Sequence, residues 1–324
     1  MPHAIRVHKT GGPDVLTWEE VETPIPGEGE ILIRHTAIGL NFIDTYFRSG
    51  LYPAPSSPFS PGNEGAGVVE AVGTGVTEFS VGDRVAYVGP IGSYAELRTL
   101  PAASAVPIPD DIDDQTAAAI MLKGLTAQYL LRQTYKVQAG DTILFHAASG
   151  GVGLIACQWA KSLGARVIGT VGSAEKAELA KAHGCDETIL YREEDFVERV
   201  KELTDGKGAN VAYDAVGKDT FPGSLHCLKP LGMWVSFGQS SGPLPDFNLG
   251  LLAQNGSLFA TRPSLFNYIA ERDRLLEMAK ELFDVVVSGT VKIRVDQTYP
   301  LRDAAQAHAD LEGRKTTGST VFTV

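Results

Sequence analysis

The chain has 324 residues, more than one ordinary core accommodates and about right for two domains. Hydrophobic residues make up 44% and charged residues 21%, as in globular proteins, and a formal net charge of −11 argues against a nucleic-acid or anionic-membrane partner. No apolar run approaches the length of a membrane span, and none near the start resembles a signal peptide, so the expectation is a soluble, cytoplasmic protein.

Up to about residue 110 the chain is rich in Gly and Pro with short β-like runs, "EILIRHTAI", "GVVEAVG", "DRVAYV" and "YAELRTL". This texture predicts an irregular β-barrel-like domain. Within it, Asn63 lies in "SPGNEGAG"; a His there would create a Gly-His-Glu-x-x-Gly string of metal-site type, but Asn is a poor zinc ligand. From about Asp113 the texture changes. "DIDDQTAAAIMLKGLTAQYLL" predicts a helix with Asp113 or Asp114 as its N-cap. "DTILFHA" reads as a buried strand and "GGVGLIACQWAKSLG" as a helix, with Val152, Ile155, Ala156, Trp159, Ala160 and Leu163 on one apolar face and Gly164 at its C-terminal end. "ARVIGTV", "ETILY", "NVAYDAVG", "LGMWVSFG" and "GSLFATRP" continue as strands, with helix "SAEKAELAKAHG" between the first two. Alternating strands and helices predict βαβ units and a parallel sheet. A long helix over roughly Tyr268 to Val287, the run "VKIRVDQTYPL", a helix "RDAAQAHADLEG" and a strand-like "GSTVFTV" close the chain. The C-terminus is expected to return to the first domain, making residues 1–122 and 265–324 one discontinuous domain and 123–264 an inserted one.

The sharpest motif is "HAASGGVG", which reads Ala148-x-Gly150-x-x-Gly153 against the G-x-G-x-x-G fingerprint. It follows a strand and opens an amphipathic helix, as a dinucleotide turn does. Gly150 lets the backbone approach a pyrophosphate, Gly153 lets the helix pack on the sheet, and the helix N-terminus offers N–H groups to the anion. At the end of the next strand, where NAD-binding chains place an acid for the ribose hydroxyls, stands Val171. Gly172, Ser173 and Lys176 follow and are expected to receive the 2′-phosphate of NADPH, with Arg192 and Arg314 as candidate helpers. Lys176 also fits a solvated helix face.

Cys157, Cys185 and Cys227 are scattered and odd in number, which suits reduced thiols and small core residues rather than a disulfide framework. None of the seven histidines falls in an H-x-x-x-H pairing. In "NFIDTYFRSGLY", Asn41 and Asp44 are short polar groups at a strand end, suited to a cleft, while Tyr46, Arg48 and Tyr52 bring aromatic faces and donors.

The segments "AIGLNFIDTYFRSGLYP", "PGNEGAG", "VGDRVAY", "KGLTAQYLL", "HAASGGVGLIACQWAKSLGA" and "SFGQSSG", in that order, make the whole chain resemble the NADPH:quinone oxidoreductases. These form the zeta-crystallin-like, zinc-independent branch of the medium-chain dehydrogenases/reductases, and the similarity is to bacterial quinone reductases in particular. The resemblance implies an α/β protein: a GroES-like β-barrel catalytic domain with an inserted Rossmann doubly wound parallel sheet, usually in a homodimer. Zinc-dependent relatives carry a Cys and a His where this chain has Asn41 and Asn63, and a four-cysteine lobe that three cysteines cannot build, so no metal is expected.

The resemblance places Asn41, Phe42 and Tyr46 beside the nicotinamide and Tyr52 near the quinone; Tyr46 and Tyr52 are expected to stack on or hydrogen-bond the acceptor. It carries Lys123 and Thr126 to the nicotinamide end and Tyr191 to the adenine. Phe237, Gly238, Gln239 and Ser240 would line the cofactor cleft, Thr261, Arg262 and Pro263 would lie by the carboxamide, and Gly217 would face the strand-end crevice. Tyr129, Ser149, Gly151 and Val152 complete the cofactor set. Lys123 fits a helix-face lysine equally well, and Phe42 a hydrophobic lining.

The activity so implied is metal-free hydride or electron transfer from NADPH to a quinone. A quinone delocalises the incoming charge, so it needs less of the Lewis-acid help that zinc gives an alkoxide. Two alternatives stand beside it: an NADPH-dependent alkenal or enone double-bond reductase of the same architecture, and an NADPH-binding structural or RNA-binding protein, the last opposed by the acidic balance.

Overall fold

The computed structural model describes residues 1–244 and 246–324. The chain forms two compact units, one of Met1–Lys123, Ala270–Phe283 and Ile293–Val324, the other of Gly124–Ile269 and Asp284–Lys292. In chain order the elements begin with β1 His3–Arg6, β2 Thr17–Glu20, β3 Glu30–Leu40, α1 Phe42–Ser49, β4 Glu64–Val72, β5 Arg84–Val88, β6 Leu97–Pro101, β7 Ala105–Pro107 and α2 Asp114–Tyr129. They continue with β8 Thr142–His146, α3 Gly151–Ser162, β9 Arg166–Val171, α4 Ala174–Ala182, β10 Glu187–Leu190, α5 Phe196–Leu203, β11 Ala209–Asp214, α6 Gly223–His226 and β12 Leu228–Ser236. The last are α7 Gly250–Gln254, β13 Phe259–Thr261, α8 Leu265–Tyr268, α9 Arg272–Val287, β14 Val295–Pro300, α10 Ala304–Glu312 and β15 Ser319–Thr323.

The first unit is built on a seven-stranded sheet ordered β14-β15-β3-β4-β5-β7, with β6 also paired to β3. Its pairings are antiparallel except β14 with β15. The pairing of β3 with β4 slips register between Leu32 and Ile33 and between His35 and Ala37. Such bulges bend a strand, and along its other edge the eleven-residue β3 pairs first with β6, over Glu30–Arg34, and then with β15, over Ala37–Leu40. Ile5, Val7, Ile38, Leu40, Tyr94, Leu301 and Phe322 form one buried cluster and Ile31, Ile33, Val69, Val85, Tyr87 and Leu100 another, so the alternating apolar residues of "EILIRHTAI" face inward.

The second unit holds a six-stranded sheet ordered β10-β9-β8-β11-β12-β13, parallel throughout. Relative to chain order within the unit this is 3-2-1-4-5-6, the doubly wound arrangement, whose direction of winding reverses between β8 and β11. Ile155, Ala156, Trp159 and Ala160 of α3 are buried as the periodicity predicts, Val152 and Leu163 are half-buried, and Gly164 is left-handed at φ 86°. At the start of α2, Asp113 Oδ1 accepts the Thr116 N–H at 2.7 Å, which identifies Asp113 as the cap.

Two sequence expectations change. The long helix is interrupted: α8 ends at Tyr268 and α9 begins at Arg272, whose guanidinium donates to the carbonyls of Ala103 and Ala105 and to Glu78 Oε2. These fixed partners set where α9 starts. The sequence also predicts the first domain from residue 265 onward, but Leu265–Ile269 and Asp284–Lys292 group with the second unit. There the Gln158 amide of α3 brackets Lys292, donating to its carbonyl and accepting its N–H, each at 3.0 Å. Among the described residues no helix is long and apolar enough to cross a membrane.

Candidate active site

In the second unit, β8 runs into α3 through a tight turn. Ala147 takes a left-handed φ of 56°, uncommon for a residue with a Cβ and a feature that sequence reading missed. Gly150 is the extended N-cap of α3, and the N–H groups of Gly151, Val152 and Gly153 in the first turn have no carbonyl within the helix to bind. Ser149 is buried beside them. A side chain on Gly153 would fall 2.6 Å from the carbonyl oxygens of Ala147 and Ala148, so only glycine allows this helix to start against its own turn. The site fits a pyrophosphate: unspent N–H groups on the positive end of a helix, with backbone accessible.

At the end of β9, buried Val171 is followed by Gly172 and by Ser173, the N-cap of α4, whose Oγ accepts the Lys176 N–H at 3.3 Å. A Cβ on Gly172 would stand 3.0 Å from the Tyr191 hydroxyl and 3.6 Å from Arg192 Nε, so Tyr191 and Arg192 close over the same strand end. No carboxylate occupies position 171, and Lys176 and Arg192 are cations, which suits a phosphate. Arg314 lies in the first unit, at φ 57° just past α10.

The loops after β11 and β12 are tied together through Asp214, a buried hub that sequence reading also missed. Its Oδ1 accepts the N–H groups of Val216 and Gly217, both its oxygens accept Thr220 Oγ1, and Oδ2 takes Ser224 Oγ and Trp234 Nε1. Burial pushes this carboxyl up, but His146 and these donors outweigh it and hold the group below the usual carboxylate range. Phe237 and Gly238 donate backbone N–H groups to the Asp214 carbonyl, and Ser240 to that of Ala215. Gln239 lies against Gly217. Arg262 Nη1 donates to the Ser236 carbonyl at 2.8 Å, while Thr261 pairs with Val235 and leads to Pro263. Thr126 is buried, and Tyr129 stacks on Tyr268 at 4.5 Å and 11°. The structure therefore gathers Ser149–Gly153, Gly217 and Phe237–Ser240 on loops that follow the carboxyl ends of neighbouring strands, the general ligand position of such sheets.

In the first unit, α1 and β4 carry a buried polar cluster. Glu64 is fully buried. Its Oε1 accepts Asn41 Nδ2 at 2.7 Å and Lys123 Nζ at 2.9 Å, and its Oε2 accepts the Leu122 N–H at 2.5 Å. Asp44 Oδ2 accepts the Asn41 N–H at 2.8 Å and the Tyr94 hydroxyl at 3.0 Å. Tyr46 and Tyr52 meet edge to face at 5.3 Å and are half-buried, as is Phe42; Phe47 packs on Tyr52 at 5.7 Å and on the core.

Arg48, expected from the sequence to bring a donor to the cleft segment, is instead buried and committed within the unit. Its side chain is 3% exposed; it forms a two-pronged pair with Glu312 at 2.9 and 2.8 Å, donates to the Gly11 carbonyl, and meets His308 Nδ1 at 3.2 Å. Its donors are spent inside the unit, so it positions its neighbours. Glu64, Tyr94 and His308 are functional candidates that sequence reading passed over. Glu64 stood in the quoted "NEG" string; Tyr94 and His308 carried no local signal.

The donor set does not fit zinc. Asn63 turns its amide nitrogen to the Gly89 carbonyl at 2.8 Å, Asn41 gives its amide N–H to Glu64, and the Lys123 ammonium sits on the same carboxylate. Among the described residues no three His, Cys, Asp or Glu side chains are grouped to hold a metal ion, and all three cysteines are buried thiols.

Residues 27–110 match the family model of the alcohol dehydrogenase GroES-like domain, and residues 151–284 that of the zinc-binding dehydrogenases. A quinone oxidoreductase of Pseudomonas aeruginosa is 56% identical over 323 residues, covering 99% of each chain. A 2-haloacrylate reductase of a Burkholderia species is 49% identical, again over 99% of each. The crystal structure of Escherichia coli quinone oxidoreductase complexed with NADPH superposes with a TM-score of 0.98 at 51% identity, covering 99% of this chain and 100% of that one.

Proposed function

This chain belongs to the quinone oxidoreductase family, and from that premise we propose that it is an NADPH-dependent quinone reductase that works without a metal ion. The observation that carries the reading is the pairing of a pyrophosphate-type helix start at Gly150–Gly153 with a second strand end, Val171–Ser173, that carries no carboxylate. NADPH, when bound, supplies the hydride.

The chain's own residues hold and orient. Ser149 and the N–H groups of Gly151–Gly153 bind the pyrophosphate; Gly172, Ser173, Lys176 and Arg192 receive the 2′-phosphate, with Arg314 as a further candidate; Tyr191 takes the adenine. Thr126, Tyr129, Gly217, Phe237–Ser240 and Thr261–Pro263 line the nicotinamide end. Asn41, Phe42, Asp44, Tyr46, Tyr52 and Lys123 form the acceptor side, where the Lys123 ammonium is fixed on the buried Glu64 carboxylate. In this reading the unit of Met1–Lys123, Ala270–Phe283 and Ile293–Val324 acts as the catalytic domain and that of Gly124–Ile269 and Asp284–Lys292 as the cofactor domain, in a cytoplasmic homodimer.

NADPH consumption against a panel of quinones and enones tests the proposal. Quinone turnover should persist undiminished with a chelator present, and NADH should serve far more poorly than NADPH. The kinship with a 2-haloacrylate reductase favours one second reading, reduction of an activated C=C bond; enone turnover that exceeds quinone turnover would select it.

A further inference from the structure

His146 ends β8 immediately before the left-handed Ala147 of the glycine turn and is wholly buried. Its Nδ1 meets Thr170 Oγ1 on β9 at 3.0 Å, and its Nε2 meets Ser224 Oγ on α6 at 3.0 Å. Ser224 Oγ in turn lies 2.9 Å from Asp214 Oδ2 on β11 and 3.2 Å from the Thr220 carbonyl. A serine has one proton to give, and the nearer, charged oxygen takes it. Ser224 then accepts from His146 Nε2–H, and the bare Nδ1 accepts from the Thr170 hydroxyl. Every donor points the same way: Thr170 to His146, His146 to Ser224, Ser224 to the Asp214 carboxylate. Burial holds His146 below its ordinary range although Asp214 pulls it up, so the ring stays neutral and the direction is kept.

The two ends of this chain attach to opposite halves of the cofactor site. At one end the Thr170 carbonyl accepts the Ala148 N–H of the glycine turn at 3.1 Å, and Val171–Ser173 follow directly. At the other end the Asp214 carboxylate holds the N–H groups of Val216 and Gly217, and the Asp214 carbonyl holds those of Phe237 and Gly238. These two loops meet backbone to backbone. A Cβ on Gly238 would stand 2.6 Å from the Ala215 carbonyl oxygen, and one on Gly217 2.9 Å from that of Gly242. Strands β9, β8 and β11 are consecutive in the sheet, so the chain crosses the point where the winding reverses and where such sheets bind ligands. A buried carboxylate ringed by donors adds little net stability over apolar packing of the same volume, but a satisfied polar network specifies one geometry. Here it fixes the distance between the pyrophosphate turn and the loops after β11 and β12.

Resting on the NADPH site assigned above, we propose that Asp214, Ser224 and His146 are positioning residues that hold the adenine half and the nicotinamide half of that site in register. All three are wholly buried and act through the turn and loops they hold. A ligand confined to one half binds without the chain, whereas one that spans both halves needs it.

Calorimetric titration of the ligand-free protein with NADPH and with 2′,5′-ADP, which carries the adenine half alone, separates the two cases. Ser224→Ala cuts the chain and leaves the Asp214 grip on both loops. Its Kd for NADPH should rise about tenfold, while that for 2′,5′-ADP stays within about twofold of the wild type. Asp214→Asn sets an amide among donors and should show the same pattern with a larger NADPH loss. Should that variant not fold, Thr170→Val, which removes one hydroxyl at constant shape, should repeat the pattern of Ser224→Ala, and Thr170→Ser, which keeps the hydroxyl, should restore wild-type binding. Parallel loss of both ligands would make the network a support of the fold alone and overturns the proposal, as does an NADPH affinity that no variant changes. Neither titration contains an acceptor, so a failure of quinone turnover would sink the functional reading and leave the register role standing, whereas wild-type protein that binds no NADPH ends both.

Discussion

Lys123 lies in a segment that reads from sequence as an ordinary helix face, yet its ammonium is 7% exposed on a carboxylate that is wholly buried. A pair of this kind is weak evidence for net stability, but removing one partner strands the other charge away from water. Lys123→Met is therefore expected to lower unfolding free energy by about 3 kcal/mol, read as a shift of the urea midpoint at constant slope. Adding Glu64→Gln should recover part of that loss, since the stranded charge is gone; a double variant whose cost is the sum of the two singles would show that they do not interact. Charge also decides the cofactor expectation. Lys176→Glu places an acid where the reading needs a phosphate, so NADPH affinity should fall at least about tenfold while NADH affinity holds or rises, by fluorescence titration. Unchanged NADPH affinity would leave Lys176 a surface lysine.

The start of α3 is where sequence and structure agree most closely, for a local reason. A buried strand, a glycine turn and an amphipathic helix each leave their mark within a few residues, so Gly150, Gly153 and the face from Ile155 to Ala160 are legible without tertiary information. The two glycines differ in what they avoid: a Cβ at Gly153 meets two backbone oxygens at 2.6 Å, whereas at Gly150 it meets one at 3.2 Å. Gly153→Ala should displace the helix start and weaken NADPH binding at least about tenfold, with Gly150→Ala the milder change; equal effects would mean that packing is not what the second glycine serves. Elements whose pattern is set by distant contacts were less legible. The hairpin of β1 and β2 gives little alternation, because Thr17–Glu20 is mostly exposed. The break before α9 is fixed by carbonyls at Ala103 and Ala105, some 167 positions away. The Arg48–His308 contact spans 260 positions, so no spacing rule could have found it.

For the whole molecule, the same buried groups set how folding responds to acid. Burial pulls His35 to about 4 and His308 to about 3, and it holds His146 low as well. In an unfolded chain these rings protonate near 6.5, so between about 6.5 and 4 the unfolded state binds more protons and stability falls as pH falls. Asp44 acts the other way. Burial lifts its folded value to about 7, above its unfolded value near 3.9, so the folded state holds the extra proton across that window and gains stability as pH falls. His35 and His308 together outweigh it by about one proton, a loss of roughly 1.4 kcal/mol per pH unit in the middle of the window, to which His146 adds in the same direction. Asp44→Asn removes the opposing group and keeps the shape, so its stability should fall more steeply, by about a further 1.4 kcal/mol per unit. Urea midpoints of both proteins across this range measure the difference directly: the curves should diverge as pH falls from 7 toward 4, and parallel curves would mean that Asp44 carries no proton in the folded state.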